Sequence, residues 1–370
     1  MRIAIVSPGL HRVQRGAEVA LEAIGRELAK IENNDVTLFG SGQSRKGEPY
    51  HFIHTHSLHR EQFERWPNLP ILRDEYAYEE FSFLFNLTTN YNPKQFDVTL
   101  TCSYPFVNWW LRRGRNHPTH VYITQNGDHP AQSNKSEYAR FGCDGLVCTN
   151  QEYFERNQSL WNAVLIPNGV DASRFSPGKG DRQALNLPAD APVALMVSAL
   201  ISSKRVLEGI KAAAQIPDLH LAICGDGPER DKVVALGEKL MPGRMHLMQL
   251  PYEQMPDVYK AADVFLHMSM DEPFGNVYLE ALSSGLPIVA HDRDVTRWIL
   301  EDTSILVDST RAEETTAGIH RALTQQSEKD IEARRALIEK RFTWQAIGHQ
   351  YSDFLQGVLR AKSHDLNNAI

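Results

Sequence analysis

Short apolar runs rich in β-branched residues alternate with stretches whose apolar positions recur at helical spacing, nearly from one end of the chain to the other. Runs that are apolar throughout and bounded by turn residues predict strands buried on both faces, the habit of a parallel sheet covered by helices. The first half offers strands near Ile3 to Ser7, Val36 to Phe39, Asp97 to Thr101, His120 to Thr124, Gly145 to Cys148 and Val164 to Ile166. The second half offers Val193 to Ser198, His220 to Cys224, Met245 to Gln249, Val264 to Met268, Pro287 to Ala290 and Ile305 to Val307. Between them SRFSPGKGDRQALNLPADAP is rich in Gly, Pro and charge, which predicts an interdomain linker over residues 173–190. The expectation is an α/β protein of two Rossmann-like domains, residues 1–172 and 191–343. An amphipathic helix from Thr343 to about Leu359, in a final segment of about 344–370, is expected to pack back on the first domain, with a frayed tail after Arg360.

Length agrees with that division, since 370 residues suit two domains of roughly 100 to 200 residues each. With 42% hydrophobic and 23% charged residues, the composition is that of a globular enzyme. A net charge of -7 argues against a nucleic-acid partner, which would need a basic face, and leaves room for a local basic patch facing acidic membrane lipids. Cys102, Cys143, Cys148 and Cys224 lack the CxxC spacing of a zinc site and the density of a disulfide scaffold, so reduced thiols are expected. The opening MRIAIVSPG reads as a first strand rather than a signal peptide, and no run approaches the roughly 20 apolar residues that span a bilayer. A cytoplasmic protein is expected, with work at the inner face of a membrane compatible.

Ligands of such sheets bind at the carboxyl ends of the strands, which directs the search for chemistry to the loops that follow them. DEPFGNVYLEALSSGLPIVA, residues 271–290, lies between two strands and predicts a helix from Asn276 to Ser284, opened by a turn at Pro273 and Gly275 and closed by Gly285 and Pro287. Amides around Gly275, Asn276 and Val277 would suit an anionic phosphate. Glu272 and Glu280 would flank such a ligand, and carboxylates accept hydroxyl pairs of the kind sugars and riboses offer. Taken alone, a helix-start acid and a solvated surface glutamate explain the two equally well.

Three segments together, IPNGVDASRF (166–175), CGDGPER (224–230) and Glu272 to Glu280, closely resemble the retaining glycosyltransferase family 4, whose fold is GT-B, two Rossmann-like domains facing across a cleft. The resemblance implies that Glu272 contacts the hydroxyls of a donor sugar and that Glu280 holds the ribose. Lys204, in VSALISSKRV, corresponds to the family lysine that neutralises the donor diphosphate, and a fixed cation there lowers the energy of a leaving group that gathers charge. The family arginine five positions earlier is replaced by Ala199, for which Arg205 is a weak substitute. Gly16, in SPGLHRVQRGAEVALEAIGREL, matches the opening of a helix whose amides approach the diphosphate. In HVYITQNGDHP the position of a family histidine is Asn126; Asp128 nearby could orient or deprotonate an acceptor hydroxyl, against an equal expectation of a plain Asn-Gly-Asp turn. The implied catalytic set is Glu272, Lys204 and Asp128, and the donor-binding set is Gly16, Lys204, Arg205, Glu272, Phe274, Gly275, Asn276, Val277 and Glu280.

The activity so implied is hexosyl transfer with retention, in polysaccharide or glycoconjugate biosynthesis. The donor is a nucleotide-sugar, UDP-glucose first and GDP-mannose as competitor; the acceptor is a saccharide or lipid-linked; no metal or other cofactor is required. Peripheral membrane association fits a lipid-linked acceptor. Two rivals stay open: a nucleotide-sugar 2-epimerase of the same architecture, and a non-catalytic nucleotide-sugar binding protein suggested by Ala199 and Asn126. The histidine-rich HFIHTHSLHR (51–60) reads as a polar loop rather than a metal tract, and Asp292 with Asp294 as a surface loop rather than a metal motif. GDGPER lacks the last glycine of a dinucleotide fingerprint, and Trp109 and Trp110 read as packing.

Overall fold

A computed structural model describes every residue except 64, 115, 116, 137, 369 and 370, and gives no side-chain surroundings for 365–368. The described chain divides into two units, residues 1–168 with 344–370, and residues 169–343. In the first, β1 (Arg2–Val6), β2 (Asp35–Gly40), β3 (His51–His54), β4 (Val98–Thr101), β5 (Thr119–Ile123), β6 (Gly145–Cys148) and β7 (Ala163–Leu165) form a parallel sheet in the order β3-β2-β1-β4-β5-β6-β7. Its helices are α1 (Gly16–Lys30), α2 (Glu75–Asn90), α3 (Phe106–Leu111) and α4 (Gln151–Asn157). In the second, β8 (Val193–Val197), β9 (His220–Cys224), β10 (Met245–Met248), β11 (Val264–His267), β12 (Ile288–His291) and β13 (Ile305–Val307) are ordered β10-β9-β8-β11-β12-β13. Here the helices are α5 (Val206–Ala213), α6 (Arg230–Leu240), α7 (Met255–Ala261), α8 (Asn276–Ser283), α9 (Asp294–Leu300), α10 (Ala312–Thr324) and α11 (Glu328–Arg341). Both orders reverse direction beside their first strand, as in a doubly wound Rossmann sheet, so each unit has a switch point where loops diverge and a ligand can enter.

The central strands are buried because both faces are covered. Val193, Ala194 and Leu195 of β8 and Val264, Phe265 and Leu266 of β11 have no exposed surface, and their side chains feed two cores, one on each side of the sheet. The edge strands β7 and β10 are only partly buried, and β3, also an edge strand, turns His51 and His54 to solvent. Its polar ends gave no apolar run to read, and residues expected as a loop form a strand with the register Thr37 to His51 through Gly40 to His54.

Two boundaries differ from expectation. Residues 173–190 are not a linker: Phe175 has no exposed surface and Leu187 is buried in the second core. Arg182 donates to the carbonyls of Ala261 at 2.9 Å and Ala191 at 2.9 Å and pairs with Asp263 at 2.7 Å. Charge that reads as solvated in sequence is spent on stitching this segment to its own unit. The crossing falls instead inside IPNGV, between Asn168 and Gly169, and the return falls after Thr343. The closing helix, α12 (Trp344–Asn368), buries Ile347, Tyr351, Leu355 and Val358 along one stripe in the core that α1 also lines. It runs past Arg360 where a frayed tail was expected, because Lys362 pairs with Asp144 at 2.7 Å and donates to the Pro118 carbonyl at 3.3 Å. Residues 369 and 370 of the expected segment lie outside the described residues.

Candidate active site

At the switch point of the second unit, the loops after β8 and β11 run side by side. The loop after β8 makes one tight turn, Ser202–Lys204, and passes through Arg205 in a left-handed conformation (φ 53) before α5 begins. That loop rests on CGDGPER: Leu200 donates its amide to the Asp226 carbonyl at 2.9 Å, and a Cβ on Gly227 would come within 2.6 Å of the Leu200 carbonyl oxygen. The glycines of this segment therefore serve backbone contact between two loops, which explains them without a dinucleotide.

Lys204 reaches across to Glu272, and its ammonium and one carboxylate oxygen form an ion pair. The same oxygen lies 3.2 Å from Nε2 of His267, the last residue of β11, whose buried ring stands edge-on to Tyr278 at 4.9 Å. Burial alone would push the Glu272 carboxyl up; the hydrogen bond and charge of His267, together with Lys204, overrule it and hold the group down at about 2. Arg293, at the head of α9, braces the loop by donating to the Met270 carbonyl at 3.3 Å and to Asp271 at 3.2 Å. The hydroxyls of Ser198 and Ser269, just past the ends of β8 and β11, are buried and make no hydrogen bond among the described residues. Buried polar atoms without partners at a switch point need an explanation, and a ligand's oxygens would supply one.

Gly275 opens α8 at φ 75, and a Cβ there would approach the Tyr278 ring at 2.8 Å and Glu272 Cγ at 2.9 Å. Backbone and space both demand glycine, and the turn it makes sets Glu272 just before the positive end of the helix dipole. One helical turn further on, Glu280 faces inward. Its oxygens accept from the Tyr259 hydroxyl at 2.7 Å and the Tyr252 hydroxyl at 3.3 Å. Burial dominates here, and although both tyrosines and Arg174 pull the other way, the carboxyl is raised to about 7. Arg174 lies over the Tyr252 ring at 4.4 Å, so the IPNGVDASRF segment contributes to the surroundings of Glu280.

Other expected site residues fall differently. Asn276 and Val277 form the first turn of α8 as expected, whereas the Phe274 side chain is in the core, near Trp298 and Phe342, and is an anchor for the loop rather than a ligand contact. Arg205, the weak substitute for the arginine missing at Ala199, donates to the Ser309 carbonyl at 3.1 Å, and its Nε is buried with no hydrogen-bond partner among the described residues. In the first unit, Gly16 is the first residue of α1, and a Cβ on Gly9, in the loop before it, would strike the Glu18 side chain. Asp128 accepts at both oxygens, from Arg156 at 2.7 Å and from Asn157 at 2.7 Å, an arrangement that ties its loop to α4. Asn126 donates to the Tyr76 hydroxyl at 3.1 Å and the Cys102 carbonyl at 3.3 Å. Asp292 and Asp294 both pair with Arg297. Sequence reading missed His267, Tyr252, Tyr259 and Arg174; a histidine closing an otherwise apolar strand at the switch point was the one legible signal among them.

Residues 179–344, nearly all of the second unit, match the family model described as glycosyl transferases group 1. The second unit is thus similar to the group 1 glycosyltransferases. The lipopolysaccharide core biosynthesis glycosyltransferase LpsE of Rhizobium meliloti (strain 1021) is 32% identical over 209 residues, which cover 55% of this chain and 58% of that protein. The chain thus spans little more than half the length of such curated relatives. Whole-chain likeness comes from solved structures. Sucrose-phosphate synthase from Thermosynechococcus elongatus has a TM-score of 0.77 at 21% identity, covering 97% of this chain and 99% of that one. Anabaena Alr3699/HepE, solved in complex with UDP and glucose, has a TM-score of 0.74 at 17% identity, covering 96% and 100%. The fold of the chain is GT-B, and the stretch similar to group 1 glycosyltransferases makes up most of its second Rossmann-like unit.

Proposed function

We propose that this protein is a retaining hexosyltransferase that moves glucose from UDP-glucose to a saccharide or lipid-linked acceptor in polysaccharide or glycoconjugate biosynthesis. The observation that carries the reading is Glu272, held ionised between Lys204 and His267 at the switch point, with Glu280 buried beyond it on α8. In this reading Glu272 accepts hydrogen bonds from the sugar and Glu280 from the ribose, whose hydroxyls enter beside those of Tyr252 and Tyr259. Lys204 exchanges its partner, from Glu272 to the diphosphate. As the bond from the anomeric carbon to the diphosphate breaks, the acceptor hydroxyl adds to the same face and its proton passes to the departing phosphate oxygen. Lys204, the Ser198 and Ser269 hydroxyls and the start of α8 stabilise the charge that gathers there, and such fixed donors are worth several kcal/mol of barrier. The solved HepE complex with UDP and glucose, on the same fold, supports the choice of donor.

Melting temperature measured against a panel of nucleotide-sugars tests the donor, since a ligand that binds the native state alone raises it. UDP-glucose should give the largest rise, and a larger rise with GDP-mannose would transfer the assignment to that donor. Turnover of UDP-GlcNAc without any acceptor would replace the transferase with the epimerase reading. An inverted anomeric configuration in the product would overturn retention.

A further inference from the structure

Helix α2 reads EYAYEEFSFLFNLTTN and is apolar on two faces. Phe83 and Leu87 point into the first unit's core, whereas Phe81 and Phe85, on the outward side, are 37% and 63% exposed. A helix apolar on both sides normally has cover on both. The second side instead borders a cavity of about 750 Å³, walled opposite by Leu58, Phe63, Trp66 and Leu69 from the segment between β3 and α2. Trp66, Leu69 and Ile71 are each about half exposed, on a loop bracketed by Arg65 and Arg73. Lone exposed apolar residues are ordinary, but a contiguous set around a cavity marks a binding surface.

The chemistry beside the groove names its occupant. Arg60 begins the turn that ends in Phe63, and Glu79 follows the groove residue Tyr78 on α2. Glu79, almost wholly buried, is paired with Arg12, with Arg60 at 3.0 Å and with Arg15 at 3.5 Å. Among the described residues, the ion pairs bring one more carboxylate to these arginines, Glu18 at 3.9 Å from Arg15, and burial raises its pKa above the ordinary carboxylate value. Among the described residues, three partly buried guanidinium groups against these two carboxylates leave one positive charge over, and Nε of Arg12 is buried with no hydrogen-bond partner. An apolar groove beside surplus guanidinium matches an amphiphile with an anionic head.

We propose that this groove takes the hydrocarbon chain of a phosphate-bearing lipid in a membrane leaflet, with Arg12, Arg15 and Arg60 facing the phosphate and Trp66, Leu69 and Ile71 entering the interface. That this lipid is the acceptor rests on the transferase reading; that the surface binds it does not.

Flotation of the full chain with vesicles, in the absence of any nucleotide-sugar, tests the surface. Vesicles of equal parts phosphatidylcholine and phosphatidylglycerol should carry the protein up, and phosphatidylcholine alone should carry at least about tenfold less, because binding of this kind adds apolar burial to attraction for anionic lipid. The double variant Trp66→Ser/Phe85→Ser, both at sites more than half exposed, should lose at least about tenfold on the mixed vesicles, with its melting temperature and its response to UDP-glucose unchanged. Arg15→Gln should lose binding on the mixed vesicles alone. Absence of flotation, or equal flotation of the double variant, would overturn the proposal. Equal flotation on both vesicle types would remove the anionic headgroup from it. A dimer in sedimentation that the double variant breaks would show that a second copy covers the groove instead. A wild-type protein that floats but shows no response to any nucleotide-sugar would keep the surface and overturn the transferase.

Discussion

Glu272 and Glu280 stand eight residues apart on one segment, yet burial is overruled at the first and prevails at the second. The difference lies in what surrounds each. Glu272 meets an ammonium and an imidazole, so removing it from water is offset by charge; Glu280 meets neutral hydroxyls, with one guanidinium beyond a ring. The first is an ion held in place. The second exchanges its proton near neutrality and gains its full hydrogen-bonding capacity only above about 7. A sequence motif of two identical carboxylates is therefore two different instruments, and the comparison can be broken by experiment.

The heaviest blow is Lys204→Ala. If the ammonium serves both the resting Glu272 and the leaving diphosphate, transfer should fall on the order of 10² to 10³-fold, about 3 to 4 kcal/mol of barrier, measured as the turnover number at saturating donor. A loss of donor affinity with turnover unchanged would confine Lys204 to binding.

Next come the opposite pH signatures. Glu272 is lowered from 4.5 to about 2 on folding, so it contributes roughly 3 kcal/mol that is complete above pH 4.5 and lost as pH falls toward 2. Glu280 is raised from 4.5 to about 7, so the folded state holds a proton the unfolded state has released, and stability drains as pH rises from 4.5 to 7, again by roughly 3 kcal/mol. Glu280→Gln should therefore be more stable than wild type at pH 8 by up to about 3 kcal/mol in urea unfolding and nearly equal to it at pH 4.5. The same variant should bind UDP-glucose more weakly at pH 8 and lose the decline in affinity that wild type shows below pH 7. Equal slopes of stability against pH in the two proteins would show that Glu280 is not protonated at neutrality.

Gly275→Ala comes third. The positive φ and the collision with Tyr278 and Glu272 should cost about 1 to 3 kcal/mol in unfolding free energy, and donor affinity should fall with it because Glu272 is displaced. Asp292→Ala should change stability by no more than about 1 kcal/mol and leave transfer alone, since its partner Arg297 is exposed. Any metal-dependent effect of that change would revive the reading of Asp292 and Asp294 as a motif.

What the sequence made legible follows from how each feature is encoded. Strands buried on both faces write themselves as unbroken apolar runs, and β8, β11 and β12 were found for that reason. The edge strand β3 was lost because half of it faces water, and residues 173–190 were misjudged because hydrogen bonds from Arg182 look like solvated charge until its partners, some 80 residues away in the case of Ala261 and Asp263, are in view. The helix opening at Gly275 and the pairing of Lys204 with the loop of Glu272 follow local rules and family pattern. The protonation of Glu280 does not: it depends on Tyr252 and Tyr259, which precede it by more than twenty residues and reach it only once α7 and α8 are packed. Phe274 shows the converse error, a residue credited with binding by its position in a motif and spent on the core.

The return of α12 to the first unit also sets an order of manufacture. On the ribosome the second unit can be completed while the first still lacks the helix that shares its core with Leu21, Ile24 and Leu28 of α1. The domain begun first is finished last, and until α12 emerges its nascent apolar surface stays open to chaperones or to aggregation.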